Sequence, residues 1–350
     1  MEEKKREHKH GHSPHKPESK RLKLDFNSVI LGLVVILVII MAVNVAMSLN
    51  IGFNLKEKTK AAEEAARPAK IGLAVIKNLK CADCSDITPF VDFVKSSKVE
   101  VTNEKTLEFD SKEAKALIAK YSIEKVPSII ITGEIDKATL EGFVKKDDAL
   151  ILAGTNPPYT NTKDGKVEGR VTLYYLYDTS CAKCNDLNVL ISQISFSGIK
   201  IVERKNMSIA GSQGSALAQK YNIQFAPTII LSKDAKVYQA VSEGWSQIGT
   251  EEKDGSFVLR TVYPPFINLT TKETKGIVDV LYLADKSCAE CYNVSVHREI
   301  LTSTQSFAMA FGKEEKIDIS DAKGKELIAR YNLTQVPTAI LSKDASVYPS

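Results

Sequence analysis

The sequence has little of what marks several large classes of protein. Its 350 residues contain no glycine-rich phosphate loop with a following lysine and no basic stripe interleaved with aromatic residues, and a net charge of +4 gives no sign of a nucleic-acid partner. We therefore set aside P-loop nucleotide-binding proteins and expect no nucleic acid among the partners. Cysteine is also scarce, at 6 in the whole chain, so the positions of these residues are informative.

The overall composition is that of an ordinary globular protein, with 43% apolar and 26% charged residues. A domain with its own core takes about 100 residues. The length therefore accommodates three domains of that size together with an N-terminal section.

All the cysteines fall into Cys-x-x-Cys pairs. The pairs are Cys81 with Cys84, Cys181 with Cys184, and Cys288 with Cys291. Each follows a run of β-branched and aromatic residues that predicts a strand, most clearly at Val171–Tyr177. After the middle pair, helical spacing is shown by Leu187, Leu190, Ile191 and Ile194. This pattern predicts that the first cysteine of a pair lies at the N-terminus of a helix.

A second signal recurs after each pair. A helical stretch, such as Ser215–Tyr221, leads into a proline that precedes a short strand. These prolines are Pro127, Pro227 and Pro337, and they follow the first cysteine of their pair by 46, 46 and 49 residues. Several signals in one order, three times, predict an internal repeat of α/β units.

The order of strand, Cys-x-x-Cys, helix, and proline before a later strand resembles the thioredoxin superfamily. The resemblance implies an α/β fold of three tandem thioredoxin-like domains, each a mixed sheet flanked by helices, as in protein disulfide isomerases. It implies that Cys81, Cys181 and Cys288 are nucleophiles and that Cys84, Cys184 and Cys291 are resolving thiols. It also implies that the three prolines are cis, face the dithiols and help to bind an extended substrate. The sequence departs from the family at Ser180, where a Trp is frequent, and at Ala182-Lys183, where Gly-Pro is frequent.

The N-terminal section predicts a membrane anchor. Residues 1–28 form a polar, basic tail that we expect to be disordered and cytoplasmic. Residues 29–50 are predicted as a transmembrane helix, because Val29–Leu49 is almost wholly apolar and long enough to cross about 30 Å of hydrocarbon. A cleaved signal peptide is the alternative, but the apolar run is longer than usual and no good Ala-x-Ala site follows it.

Charge around the apolar run predicts the topology. Eight Lys and Arg residues precede it, against three, Lys56, Lys58 and Lys60, soon after it. The positive-inside rule therefore places the tail in the cytoplasm and the dithiols on the other side, where disulfides persist.

Pro157-Pro158 and Pro264-Pro265 mark the domain boundaries. The predicted segments are a stalk over 51–70 and thioredoxin-like domains over 71–158, 159–265 and 266–350. Only thirteen residues follow Pro337, so the last sheet is expected to lack an edge strand unless the sequence record stops early.

Two functional classes follow from these patterns. The first is a membrane-anchored, extracytoplasmic thiol-disulfide oxidoreductase or isomerase that acts on protein thiols and disulfides, with an unidentified redox partner and no cofactor. The second is a non-catalytic surface binding protein or scaffold with inert disulfides. No metal site is expected, because zinc takes four ligands and each unit supplies one cysteine pair; His297 is interpreted as exposed helix surface.

The residue before each second cysteine differs in charge, being Asp83, Lys183 and Glu290. An ammonium group stabilises a neighbouring thiolate and a carboxylate opposes it. The sequence therefore predicts that the middle dithiol is the most oxidising.

Overall fold

The computed structural model describes residues 26–348. The predicted disordered tail over residues 1–25 lies outside the described residues. The chain divides after Pro68 into an N-terminal part and a compact part, Ala69–Ser350, and we describe each by itself.

The N-terminal part is one long helix, α1, over Phe26–Ala66. It contains Val29–Leu49, 21 residues with a mean hydropathy of 3.1, and this is the one helix within residues 26–348 that is long and apolar enough to span a membrane. The helix continues to Ala66 through most of the predicted stalk, and the first strand begins at Ala69, inside the stalk's predicted range.

The first unit of the compact part spans residues 69–168. Its elements are β1 Ala69–Lys77, α2 Thr88–Ser96, β2 Val99–Glu108, α3 Lys112–Tyr121, β3 Lys125–Val126, β4 Ser128–Gly133, β5 Phe143–Lys146, β6 Ala149–Leu152, β7 Tyr159–Asn161 and β8 Val167–Glu168. The main sheet has the order β2-β1-β4-β6-β5. The central strand β1 is parallel to β2 and antiparallel to β4, so the sheet is mixed.

The alternation of side chains along β1 explains why helices cover both faces of this sheet. Leu73 and Val75 pack in a core that includes Val94 of α2. Ile76 points to the other face, into a core that includes Ala114 of α3. Both faces of β1 are thus apolar, and each is covered by one helix.

The second unit, residues 169–275, repeats this plan. Its elements are β9 Val171–Tyr177, α4 Asn188–Phe196, β10 Ile201–Ser208, α5 Ser212–Lys220, β11 Phe225–Ala226, β12 Thr228–Leu231, α6 Gln239–Gly244, β13 Gly249–Glu251, β14 Phe257–Leu259, β15 Phe266–Asn268 and β16 Thr274–Lys275. The main sheet has the order β10-β9-β12-β14-β13, with the same parallel and antiparallel neighbours of its central strand. The predicted strand Val171–Tyr177 is confirmed, and the predicted second helix corresponds to α5.

The third unit is smaller. Its elements are β17 Ile277–Ala284, α7 Val296–Thr302, β18 Ala310–Asp318, α8 Ala322–Tyr331 and β19 Thr338–Leu341. In the part of the chain that the structure describes, its sheet has three strands, in the order β18-β17-β19. Mixed α/β sheets flanked by helices thus recur three times after an apolar N-terminal helix.

The segments after the two Pro-Pro pairs are hairpins that pair backwards along the chain. Strand β7 pairs with β3 and β8, and β15 pairs with β11 and β16. By strand pairing, residues 159–168 therefore group with the first unit and residues 266–275 with the second. The predicted domain boundaries at 158/159 and 265/266 stay a prediction about independent folding.

Candidate functional site

Each Cys-x-x-Cys pair forms a disulfide on the turn that follows the central strand of its sheet. The Cα–Cα separations are 5.3 Å for Cys81–Cys84, 5.4 Å for Cys181–Cys184 and 5.5 Å for Cys288–Cys291. The turn is tight, because the amide of the second cysteine donates to the carbonyl of the first over 3.3 Å in the first two units.

The predicted position of the disulfides at helix N-termini is wrong. The helices begin only at Thr88, Asn188 and Val296, several residues beyond the second cysteine. The helix dipole is concentrated in the first turn, so it does not act directly on the first sulfur of any pair.

Competing hydrogen bonds explain the delayed helix start. The amide after the second cysteine donates to a hairpin proline, from Ser85 to the carbonyl of Pro158 and from Asn185 to that of Pro265, both over 2.8 Å. The Asn185 side chain then accepts the amide of Leu187 over 3.0 Å. Such local bonds hold the backbone in turns and compete with helix formation.

The approach to each first cysteine is also held by a side chain. Asn78, Asp178 and Asp285 each lie three residues before the first cysteine. Each accepts a hydrogen bond from the amide two residues further on, over 3.0, 2.8 and 2.8 Å. This repeated turn fixes the loop that presents the disulfide.

In the first two units the prolines lie beside the disulfides, and in the third Pro337 contacts Tyr292, the residue after Cys291. The peptide bonds before Pro127, Pro227 and Pro337 are cis, as the resemblance implied. Pro127, Cys81 and Cys84 line one open depression of about 330 Å³, together with Leu79, whose side chain is 73% exposed.

In the second unit, Cys184 Sγ lies 3.9 Å from the carbonyl oxygen of Ala226, which precedes the cis-proline. In the first two units, the strand before this proline is already paired on one edge with a hairpin strand. That edge is closed to a substrate peptide.

The hairpins also contact the sulfurs. Thr160 Oγ1 of β7 lies 3.8 Å from Cys84 Sγ. Thr274 of β16 donates its hydroxyl to Cys181 Sγ over 3.7 Å. The segments interpreted from sequence as domain boundaries are therefore part of the sites.

Charges at the first disulfide differ from the simple sequence interpretation. Arg170 forms an ion pair with Asp83 and lies against Cys81. Its guanidinium holds the pKa of Asp83 below the ordinary value, and the carboxylate raises the pKa of Arg170. The negative charge of Asp83 is thus compensated in the folded chain.

The ammonium of Lys183 instead donates to the carbonyl oxygen of Phe311 in the third unit over 3.4 Å. This hydrogen bond leaves the ammonium charged, so the prediction that the middle dithiol is the most oxidising stays a prediction. Exposure differs as well, since Cys81 is buried at 7% whereas the other cysteines are partly exposed.

The third site contains a polar pair that the sequence interpretation missed. Tyr292, directly after Cys291, donates its hydroxyl to the carbonyl oxygen of Pro337 over 2.9 Å. The Nε2 atom of His297 lies 2.9 Å from the same hydroxyl, so His297 is a half-buried partner of Tyr292 rather than free helix surface. Within residues 26–348, no three His, Cys, Asp or Glu side chains form a metal-binding group.

A disulfide after the central strand, a cis-proline before the neighbouring antiparallel strand, and helices on both faces of a mixed sheet recur together. The units are thioredoxin-like. No family model and no curated protein sequence matches the chain.

Several solved structures resemble these thioredoxin-like units. Full-length ERdj5 is similar at 9% identity and a TM-score of 0.18, over 79% of this chain and 41% of that one, so the chain spans less than half of ERdj5. The NTD_N/C domain of Enterococcus faecalis alkylhydroperoxide reductase AhpF is similar at 16% identity and a TM-score of 0.15, over 51% of this chain and 89% of that one. Human ERp44 is similar at 10% identity and a TM-score of 0.16, over 81% of each chain. We assign the thioredoxin-like fold from the strand order, disulfides and cis-prolines.

Arg170, Thr160 and Thr274 were missed because they lie 89, 76 and 93 residues from the cysteines that they contact. One repeated sequence pattern marks the segments that contain these three residues. The pattern Pro-Pro-aromatic-x-Asn occurs at 157–161 and again at 264–268, and a glycine precedes the next strand in both copies. A repeat of that length indicates a structured element rather than a linker.

Proposed function

We propose that this protein is a membrane-anchored thiol-disulfide oxidoreductase or isomerase that acts through its Cys-x-x-Cys pairs on protein thiols and disulfides outside the cytoplasm. The observation that carries the proposal is that each of three units has a disulfide on the turn after its central strand and a cis-proline before the antiparallel neighbour of that strand. A purely structural disulfide does not require this arrangement.

The chemistry is thiol-disulfide exchange. A substrate thiolate attacks one sulfur of the pair, which breaks the protein disulfide, forms a mixed disulfide and releases the other cysteine as a thiolate. A second substrate thiol then attacks the mixed disulfide. The substrate dithiol becomes a disulfide, and the protein pair takes up two electrons and two protons. Return to the disulfide requires a disulfide-bearing redox partner.

The anchor and the topology complete the proposal. Helix α1 provides an apolar stretch of sufficient length, and the excess of Lys and Arg before it favours a cytoplasmic N-terminus. The three units then face an oxidising compartment, where a disulfide form is stable.

The activity is tested with the full chain in detergent, by following the reduction of insulin by dithiothreitol. We expect acceleration by the wild type and none by a variant with all six cysteines changed to serine. Variants that change one pair at a time, such as Cys181→Ser with Cys184→Ser, serve as matched controls for one another. If the wild type and the six-serine variant give the same rate, the activity is wrong and a binding or scaffold role with inert disulfides is favoured.

Topology is tested separately. After mild reduction, intact cells are treated with a membrane-impermeant maleimide. We expect labelling of the cysteines without lysis, and membrane association at alkaline pH that is lost when residues 29–49 are deleted. Labelling that requires lysis would overturn the extracytoplasmic placement, whatever the result with insulin.

A further inference from the structure

The start of the second unit places a guanidinium on the first disulfide. Arg170 follows β8, and its Nη2 atom donates to Cys81 Sγ over 3.7 Å. Its Nε atom donates to Asp83 Oδ2 over 2.8 Å, and Nη2 also bonds Asp83 Oδ1. One side chain thus holds both the sulfur and the carboxylate of the first Cys-x-x-Cys turn.

The backbone before Arg170 is held from both units. The buried hydroxyl of Tyr238, in the second unit, donates to the carbonyl oxygen of Gly169 over 2.6 Å. On the other side, a Cβ atom on Gly169 would lie 2.5 Å from Cβ of Pro157. The packing leaves this junction little freedom, so the guanidinium is positioned by the docking of the two units.

The junction between the second and third units, at Gly276, has the same backbone contacts as the one at Gly169 but lacks the cation. Tyr348 donates to the carbonyl oxygen of Gly276 over 2.5 Å, and a Cβ atom on Gly276 would lie 2.7 Å from Cβ of Pro264. The next residue is Ile277, in place of Arg170. The chain thus contains two junctions with matching backbone contacts, and only the first has an arginine directly after its glycine.

Other ionic groups lie near the first disulfide. Asp83 Oδ1 is itself 3.7 Å from Cys81 Sγ, so its carboxylate opposes Arg170 at the sulfur. Asp83 is paired with Arg170, and Lys200 of the second unit adds a positive charge near Asp83. Glu108 accepts the amide of Leu79, before the first cysteine. Asp86, beyond the second cysteine, accepts the amide of Thr88, and Lys77 lies near that carboxylate.

Within residues 26–348, Arg170 supplies the one charged nitrogen that hydrogen-bonds to a disulfide sulfur. We propose that Arg170 directly stabilises the thiolate of Cys81 and makes the first dithiol the most oxidising of the three. An effect of Arg170 on the rate of catalysis rests on the proposed function, whereas an effect of Arg170 on the redox equilibrium of the first pair does not.

The step concerned is release of Cys81. If a substrate thiolate attacks Cys84, Cys81 leaves as a thiolate when the protein disulfide breaks. If the attack is on Cys81, Cys84 leaves first and Cys81 leaves when the second substrate thiol forms the substrate disulfide. Both routes transfer two electrons to the protein pair. A dithiol whose reduced form is stabilised is the stronger oxidant, so Arg170 favours transfer of the disulfide to the substrate.

The test uses the full chain in detergent, equilibrated with mixtures of reduced and oxidised glutathione. Alkylation and peptide mass spectrometry give, for each pair separately, the equilibrium constant for reduction of the disulfide by glutathione. A larger constant means a more oxidising pair. We expect the largest constant for Cys81–Cys84 in the wild type. Arg170→Gln should lower it about tenfold, or about 30 mV, the effect of one partly screened charge near a thiolate, and should leave the third pair unchanged.

Three further variants separate charge from structure. Arg170→Lys should retain most of the constant, because the charge remains. Asp83→Asn should raise the constant of the first pair, and it carries the test if Arg170→Gln does not fold. The double variant should lie between the two single ones. The rate of Cys81 alkylation should increase with pH, and the pH at which it reaches half its maximum should be lower in the wild type than in Arg170→Gln.

A change of less than twofold in Arg170→Gln, or an equal change in all three pairs, would overturn the inference. So would a lowered constant in Asp83→Asn. Insulin reduction distinguishes this failure from failure of the proposed function. If Arg170→Gln leaves the constant of the first pair unchanged while the wild type accelerates insulin reduction, only the role of Arg170 is refuted. If the constant shifts while the wild type is inactive with insulin, only the catalytic proposal is refuted.

Discussion

The hydroxyl of Tyr238 holds the start of the second unit, because it donates to the carbonyl oxygen of Gly169 over 2.6 Å and accepts the amide of Lys200 over 3.0 Å. The ring belongs to the main core cluster of the second unit. The carbonyl lies directly before Arg170, which contacts the first disulfide. Core packing in one unit therefore fixes a charge at the site of another.

Tyr238→Phe tests this link. Loss of the hydroxyl leaves a buried carbonyl and an amide without their partner, which should lower the free energy of unfolding by about 1–3 kcal/mol. The glutathione equilibrium constant of the first pair should also fall, because Arg170 is less firmly placed. Tyr348→Phe is the matched control, since its hydroxyl makes the equivalent bonds to Gly276 and Ala310. It should destabilise the chain and leave the first pair's constant unchanged; equal redox shifts in both variants would contradict the link.

Gly169→Ala tests the tightness of the same junction. The φ angle of +90° disfavours alanine, and the new Cβ would overlap Pro157. We expect destabilisation by about 1–3 kcal/mol, measured by urea denaturation. Gly154→Ala is the control, because no heavy atom lies within 4 Å of its added Cβ, and its effect should stay within about 0.5 kcal/mol. Similar stabilities for the two variants would show that the junction is open.

The single tryptophan makes the independence of the units measurable. Trp245 is 5% exposed and packs edge-to-face on Phe257, at a centroid distance of 6.0 Å. Phe257→Ala should cost about 3–5 kcal/mol and move the urea midpoint of tryptophan fluorescence. Val94→Ala, in the core of the first unit, should cost about 2 kcal/mol and move part of the circular-dichroism transition, but leave the fluorescence midpoint in place. If Val94→Ala moves both equally, the predicted division into independent domains is wrong.

Asp318 should make the third unit sensitive to acid. Hydrogen bonds from the Ser320 hydroxyl and from the amides of Ser320 and Lys286 lower its pKa from 3.8 to about 2. Because the folded pKa is below the unfolded one, the stabilisation is full above about pH 4 and is lost as the pH falls towards 2. Asp318→Asn should therefore lower the thermal unfolding temperature at neutral pH, with a difference from wild type that shrinks on acidification. A constant difference across this range would exclude the carboxylate as its source.

Much of the fold was predictable because its signals are local. The strand Val171–Tyr177 and the cores around it follow from periodicity, and the three copies follow from self-comparison of the chain. The helix start was mispredicted because Leu187 has the right apolar spacing but caps α4 in a left-handed conformation, with φ of 52°. Periodicity detects a buried face, whereas the amides of Asn185 and Leu187 are diverted by bonds that spacing does not reveal.

The sequence by itself determined the three dithiols, the prolines that follow them, the mixed α/β units and the apolar N-terminal helix, because each is encoded within one short stretch of residues, and the family resemblance implied that these prolines are cis. Only the tertiary structure decided which groups surround the sulfurs. It folded the segments after Pro158 and Pro265 back onto the cis-proline loops, directed Lys183 to the third unit and brought Arg170 to Cys81 across 89 residues. The physical reason is that charge and hydrogen bonding act through space, and the packing of one unit against the next sets those distances.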